Sequence, residues 1–158
     1  MRQIKQSDLA LICNLRKDAR ATLTELSRKT RIPISTVFDK LRNYETRYIL
    51  KHTALLDFNK FGFFARANVI LKVSKKQTED VREFLTIHPN VNCLYKINNG
   101  FDFQVELIFK HLQELESFLD NLCERFIIKQ KMVYYLLDEI KRESFMTNLE
   151  SLQLIIGR

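Results

Sequence analysis

Apolar side chains recur along this chain with two periods, and the change from one to the other falls near residue 62. In DLALICNLRKD, residues 8–18, Leu9, Ile12 and Leu15 or Arg16 lie near one face, which predicts a first helix. Thr22 followed by Glu25 is a reciprocal capping pair, in which hydroxyl and carboxylate each meet an otherwise orphan backbone amide, so a second helix begins there. It should stop near Arg31, because Pro33 disfavours helical geometry in the residue before it and is itself at ease in a first turn. Ile34, Val37, Leu41 and Tyr44 then fall at i, i+3, i+7 and i+10 and predict a third helix over 34–46 with an apolar face about a hundred degrees wide. Ser35, Thr36, Asp39, Arg42 and Asn43 point the other way. Two short helices joined by a tight turn, the second with a polar outer face, form a helix-turn-helix whose second member can enter a major groove. YILKHTALLDF after it reads as two short extended pieces, the size of a wing hairpin.

From Ala65 the period is two: Ala65, Ala67, Val69, Leu71 and Val73 alternate with Arg66, Asn68 and Lys72. Residues 76–87 are helical in pattern. Val91, Cys93, Tyr95 and Ile97 alternate again, and beyond the NNG turn Phe101, Phe103, Val105, Leu107 and Phe109 complete a hairpin. LQELESFLDNLCERF repeats Leu112, Leu115, Leu119 and Leu122 at helical spacing, and VYYLLDEI closes as a last strand. The order strand, helix, strand, strand, helix, strand is the ferredoxin-like arrangement, so the fold class is α+β: a winged helix-turn-helix followed by a ferredoxin-like βαββαβ domain. Its sheet has helices on one face, and the other would carry Ile70, Leu94, Ile108 and Tyr134 or Leu136, a set that predicts a partner sheet from a second copy. The expected division is 1–62, 63–145 and a tail, 146–158, in which Leu149, Leu152 and Ile156 predict a short helix.

Charge sharpens this division. Residues 1–62 carry 13 Lys and Arg against six acids, a net of +7, while the remainder carries 13 of each sign. A basic first part joined to a neutral second part suits a module that meets phosphates joined to one that meets protein. Cys13, Cys93 and Cys123 each sit in an apolar pattern and are expected to be small reduced core residues, while His52, His88 and His111 lie singly, without a second ligand at helical spacing. No catalytic, cofactor or metal motif emerges. No run approaches the roughly 20 apolar residues that span a bilayer, so a soluble, cytoplasmic protein without membrane contact is expected.

DLALICNLRKDARATLTELSRKT with its DAR element at 18–20, STVFDKLRNYE, and above all ALLDFNKFG, with Asp57 and Gly62 five residues apart, together resemble regulators of the Lrp/AsnC (feast/famine) family over residues 7–143. The resemblance implies a winged helix-turn-helix that binds double-stranded DNA, a ferredoxin-like domain that builds homodimers and often octamers, and in many members an amino-acid effector. It places the recognition helix at 34–46, and the effector loop at Gly100, Phe101 and Asp102. Departures are Pro33 where the family usually has a serine cap, Tyr48 for a glycine before the wing, Lys40 for a common arginine, and the loop glycine, which stands one place late.

On the recognition helix, Arg42 can meet a guanine edge through two parallel hydrogen bonds, with Lys40 at its flank on phosphate. Ser35 and Thr36 can bond phosphate or base; Phe38 can contact thymine methyls or flank the core; Asp39 can order Arg42 or accept from cytosine; Asn43 shares their face. Arg28, Lys29, Arg31, Arg47 and Lys51 are expected backbone clamps. Two rival readings remain. One is a tetrapyrrole (sirohaem) decarboxylase, similar to the family in both domains, with His88 and His111 as its candidates. The other is an effector-only module acting through mixed oligomers.

Overall fold

The computed structural model describes residues 5–156, and in Ile156 the backbone only. The chain separates into two compact units, one running up to Leu55 and resumed from Lys141 onwards, the other spanning Leu56–Ile140. The boundary between them thus lies between Leu55 and Leu56, and the segment from Lys141 groups with the first unit.

The helical unit contains α1 (Gln6–Lys17), α2 (Leu23–Thr30), α3 (Ile34–Arg47) and α6 (Leu149–Ile156). Leu11, Leu26, Val37 and Tyr44 are buried together, with Ile12, Leu15 and Leu41 packed against them. The single face expected of α1 is in fact two. Leu9 and Cys13 turn to a second cluster with Leu152, packed by Met146 and Leu149. Leu149 and Leu152 therefore act as the helical spacing predicted, whereas the Ile156 side chain lies outside the described residues. Arg16 of α1 donates to the Phe145 carbonyl at 3.2 Å and pairs with Glu143, tying the approach to α6. Ile34, expected on the inner face of α3, is 48% exposed.

The wing hairpin is not formed. Residues 49–57 belong to no strand, and between Tyr48 and Leu56 there is no Gly, Pro, Asn or Asp to reverse the chain. Next, Asp57 caps a 3-10 turn, Phe58–Phe61, by accepting from the Asn59 amide at 3.2 Å, and Gly62 ends it at φ +82. This is the physical content of the ALLDFNKFG motif.

The sheet unit has strand order β2-β3-β1-β4, antiparallel throughout, with β1 Ala65–Val73, β2 Val91–Lys96, β3 Phe103–Phe109 and β4 Ile128–Tyr135. Helices α4 (Thr78–Ile87) and α5 (Leu112–Arg125) cover one face, where Val81, Leu85, Leu115, Phe118, Leu119 and Leu122 close over the alternate residues of β1 and β3. This is the predicted ferredoxin-like arrangement.

Three details of the sheet differ from the sequence pattern. A bulge between Val91 and Cys93 sets two β2 residues against Glu106, and Leu94 comes opposite Val105 on the core face. A one-residue slip exchanges faces, so Cys93 and Tyr95 leave the core side and Leu94 leaves the open one. Phe101 lies before β3, not in it. The last strand runs over 128–135 instead of 133–140; its polar stretch Lys129–Lys131 hides the pattern, as suits an exposed sheet edge. Leu112 and Cys123 are exposed on α5, and Cys93 is half-buried, so of the three cysteines Cys13 alone is a core residue. Among the described residues no helix is long and apolar enough to cross a membrane.

Candidate nucleic-acid interface

The turn between α2 and α3 is built by backbone and hydroxyl bonding. At the start of α2 the Thr22 amide donates to the Glu25 carboxylate at 2.9 Å and the Glu25 amide to the Thr22 hydroxyl at 3.2 Å, the reciprocal cap the sequence predicts. The bonds from Thr22 hold the Glu25 carboxyl below its ordinary range. Ahead of it, the Arg20 amide donates to Asp18 at 2.9 Å, which is the role of the DAR element. At the far end Arg31 takes a left-handed φ of 57°, the Thr30 hydroxyl donates to the Leu26 carbonyl and the Ser27 hydroxyl to the Ile32 carbonyl, both at 2.6 Å. These bonds fasten the last turn of α2 and the short turn that follows it. Pro33 then starts α3 without a side-chain cap, and its carbonyl accepts from the Val37 amide at 2.9 Å.

α3 has two unlike faces. Val37 and Tyr44 are buried and Leu41 packs beside them, while Ser35, Thr36, Phe38, Asp39, Arg42, Asn43 and Arg47 are all exposed. Lys40 alone of the predicted set turns inward, where it pairs with Asp8 of α1. Burial by itself would raise the Asp8 carboxyl, but its bond to Lys40, the nearby Tyr44 hydroxyl and the Lys40 charge bring it below its usual range. Tyr44 is pushed strongly up, first by burial and then by the neighbouring Asp8 carboxylate. The Arg42 guanidinium sits 5.9 Å from the centre of the Phe38 ring. Phe38 is 47% exposed, so it belongs to the open face and not to the core.

Arg28, Lys29, Arg31, Arg47 and Lys51 are exposed. Two further residues share the open side and were not singled out from the sequence: Ile34, counted there as core, and Thr46, whose hydroxyl donates to the Asn43 carbonyl at 2.8 Å. The signal for both was available in the helical angle, since Thr46 stands opposite Val37 and Ile34 lies in a first turn with no preceding turn to cover it.

In the sheet unit, Asn99 and Gly100 have φ of 62° and 83° in the β2–β3 turn. Asp102 holds the end of β1: its carboxylate accepts from the Val73 amide at 2.8 Å and its amide donates to the Leu71 carbonyl at 2.9 Å. Gly100 is exposed and Phe101 half-buried. On the open face Arg66 donates to Glu106 at 2.7 Å and to Glu139 at 2.9 Å and lies over Phe58. His88 packs between Phe84 and Phe118, where burial lowers its pKa, and His111 stands at the start of α5. No group of three or more His, Cys, Asp and Glu able to hold a metal occurs among the described residues.

A helix-turn-helix with a polar, solvent-facing second helix, in a chain whose other unit is a ferredoxin-like sheet, defines a DNA-binding regulator of two units. No family model matches the chain. It is 29% identical over 118 residues, 74% of its length and 78% of the relative's, to the HTH-type transcriptional regulator FL11 of Pyrococcus horikoshii. It is 26% identical over 120 residues to the HTH-type transcriptional regulator LrpC of Bacillus subtilis, covering 75% of this chain and 83% of that one. The same fold is found in a transcriptional regulator of Neisseria meningitidis solved with L-Met, at a TM-score of 0.84, 18% identity and coverage of 94% and 99%. By these relatives the chain is an HTH-type transcriptional regulator, similar to those of the Lrp/AsnC type.

Proposed function

We propose that the protein regulates transcription by placing α3 in the major groove of double-stranded DNA, as a homodimer on an imperfect palindrome. The observation that carries this is the division of α3, with its apolar residues closed into the helical unit and Ser35, Thr36, Asp39, Arg42 and Asn43 left open. Arg42 reads a guanine edge, Ser35, Thr36 and Asn43 bond bases or phosphates, and Asp39, one turn from Arg42, orders it or accepts from cytosine. Arg28, Arg31, Arg47 and Lys51 hold phosphates, supported by the concentration of net charge in residues 1–62. Lys40 serves the fold through Asp8.

Dimerisation uses the open face of the sheet. Ile70, Met132 and Tyr134 lie on it, with Ile108 beside Arg66, and a second copy removes this apolar surface from water. Two such helices read half-sites about one turn of DNA apart, and association of four dimers gives an octamer. An amino acid binding at Gly100, Phe101 and Asp102 tunes the response. The Neisseria protein solved with L-Met supports an amino-acid class of ligand, and the free oxygen of the Asp102 carboxylate suits an ammonium group. The setting is the cytoplasm.

Retardation of the DNA upstream of the protein's own gene, in excess competitor and at several salt concentrations, tests the reading. Binding that falls steeply between about 50 and 200 mM salt is expected, because neutralised phosphates release counterions. Flat or absent binding would overturn it.

A further inference from the structure

We propose that α3 reads a thymine–guanine step as one unit, with the thymine methyl against Phe38 and Ile34 and the adjoining guanine edge held by Arg42. This rests on the DNA-reading role given above. Ile34 and Phe38 stand at i and i+4 in the first two turns of α3, and each leaves about half its surface in solvent, at 48% and 47%. The first turns of a recognition helix are the part that meets base edges. A phenyl ring and a sec-butyl group have neither donor nor acceptor, and what they can recognise in a major groove is its apolar feature, the 5-methyl group of thymine.

Arg42 adds the second half. Its guanidinium lies 5.9 Å from the centre of the Phe38 ring, so the ring limits where the planar fork can point. Positions 38 and 42 are separated by about 6 Å of helix rise, and folding the guanidinium back over the ring shortens that toward the spacing of neighbouring base pairs, about 3.4 Å. One side chain then touches the methyl while the other forms its two parallel bonds to guanine O6 and N7. A pyrimidine–purine step is the one that opens its stack most readily, which gives a bulky ring access to the methyl.

The test uses the full chain and duplexes it selects from a random pool. Each thymine of the selected half-site is replaced in turn by deoxyuridine, which removes the methyl and keeps every hydrogen bond. At the thymine 5′ to the guanine, binding should weaken about fourfold, the transfer value of one such group. Phe38→Leu keeps that sensitivity, Phe38→Gln loses it, and Arg42→Ala loses discrimination for the neighbouring guanine. If deoxyuridine binds like thymine at every position, or Phe38→Gln stays as sensitive as the native protein, the inference is overturned and the DNA-reading role stands. If no duplex is selected, both fall.

Discussion

Lys40 of α3 and Asp8 of α1 form an ion pair inside the helical unit, with about a quarter and a fifth of their side-chain surfaces in solvent, 25% and 19%. α3 is thereby fastened to its support by a cation that its own wheel leaves at the margin of the apolar face. The pair sits next to Tyr44, whose burial and nearness to the Asp8 carboxylate drive its phenol pKa upward.

Removing one partner should cost about 1.5–3 kcal/mol, the range for hydrogen bonds to charged groups. The Asp8 carboxyl is held below its ordinary 3.8 in the folded chain, so its contribution is complete above that value and is lost as pH falls through the lower folded one. Denaturant midpoints of the native protein and Lys40→Ala should therefore lie well apart at about pH 6 and converge in strong acid. A constant separation at all pH values would contradict the pair.

The same geometry separates two kinds of cation in DNA binding. Arg28→Ala and Lys51→Ala should each lower the slope of log affinity against log salt by about 0.9. Lys40→Ala, compared at equal folded fraction, should leave that slope unchanged. Arg42→Ala should cost about 1–3 kcal/mol on the preferred sequence and much less on others. Fluorescence anisotropy titrations at four salt concentrations separate these outcomes.

Leu152 is 3% exposed against Leu9 and Cys13. Leu152→Ala should destabilise the helical unit by about 2–3 kcal/mol through lost contact and a partly unfilled cavity. Leu154, two residues on, is 76% exposed, and Leu154→Ala should stay within about 0.5 kcal/mol. Thermal melts of both variants check the role given to α6.

Gly62 has φ +82, and a Cβ built there meets no atom within 4 Å. Its requirement is conformational alone, so Gly62→Ala should cost about 1–2 kcal/mol. Gly62→Asn should cost less, because asparagine tolerates the left-handed region. Equal losses for the two would point instead to an unseen steric neighbour.

Much of this was legible beforehand. The Thr22–Glu25 cap, the Arg31–Pro33 turn and the Val37–Leu41–Tyr44 stripe are local, settled by residues three or four positions apart, and all appear as expected. The alternation in β1 was equally plain, since every second residue from Ala65 to Val73 is buried. β2 was misread because its bulge depends on pairing with Glu106 of β3, which no period within β2 records. β4 was misplaced because Lys129–Lys131 look like loop to any hydropathy pattern, yet they complete a sheet edge. The two faces of α1 were merged because one of them is covered from the far end of the chain.

Local chemistry in the chain thus determines the order of helices and strands, the caps and turns, the uneven charge and the existence of a polar face on α3. The tertiary structure decides which residues that face contains. Lys40 leaves it when Asp8 of α1 comes within bonding distance, and Ile34 and Phe38, each about half exposed, join it. The reason is one of range: a helix's own period is written within a few residues, whereas the partner that buries or charges a given side chain is chosen by packing between segments that the chain holds far apart.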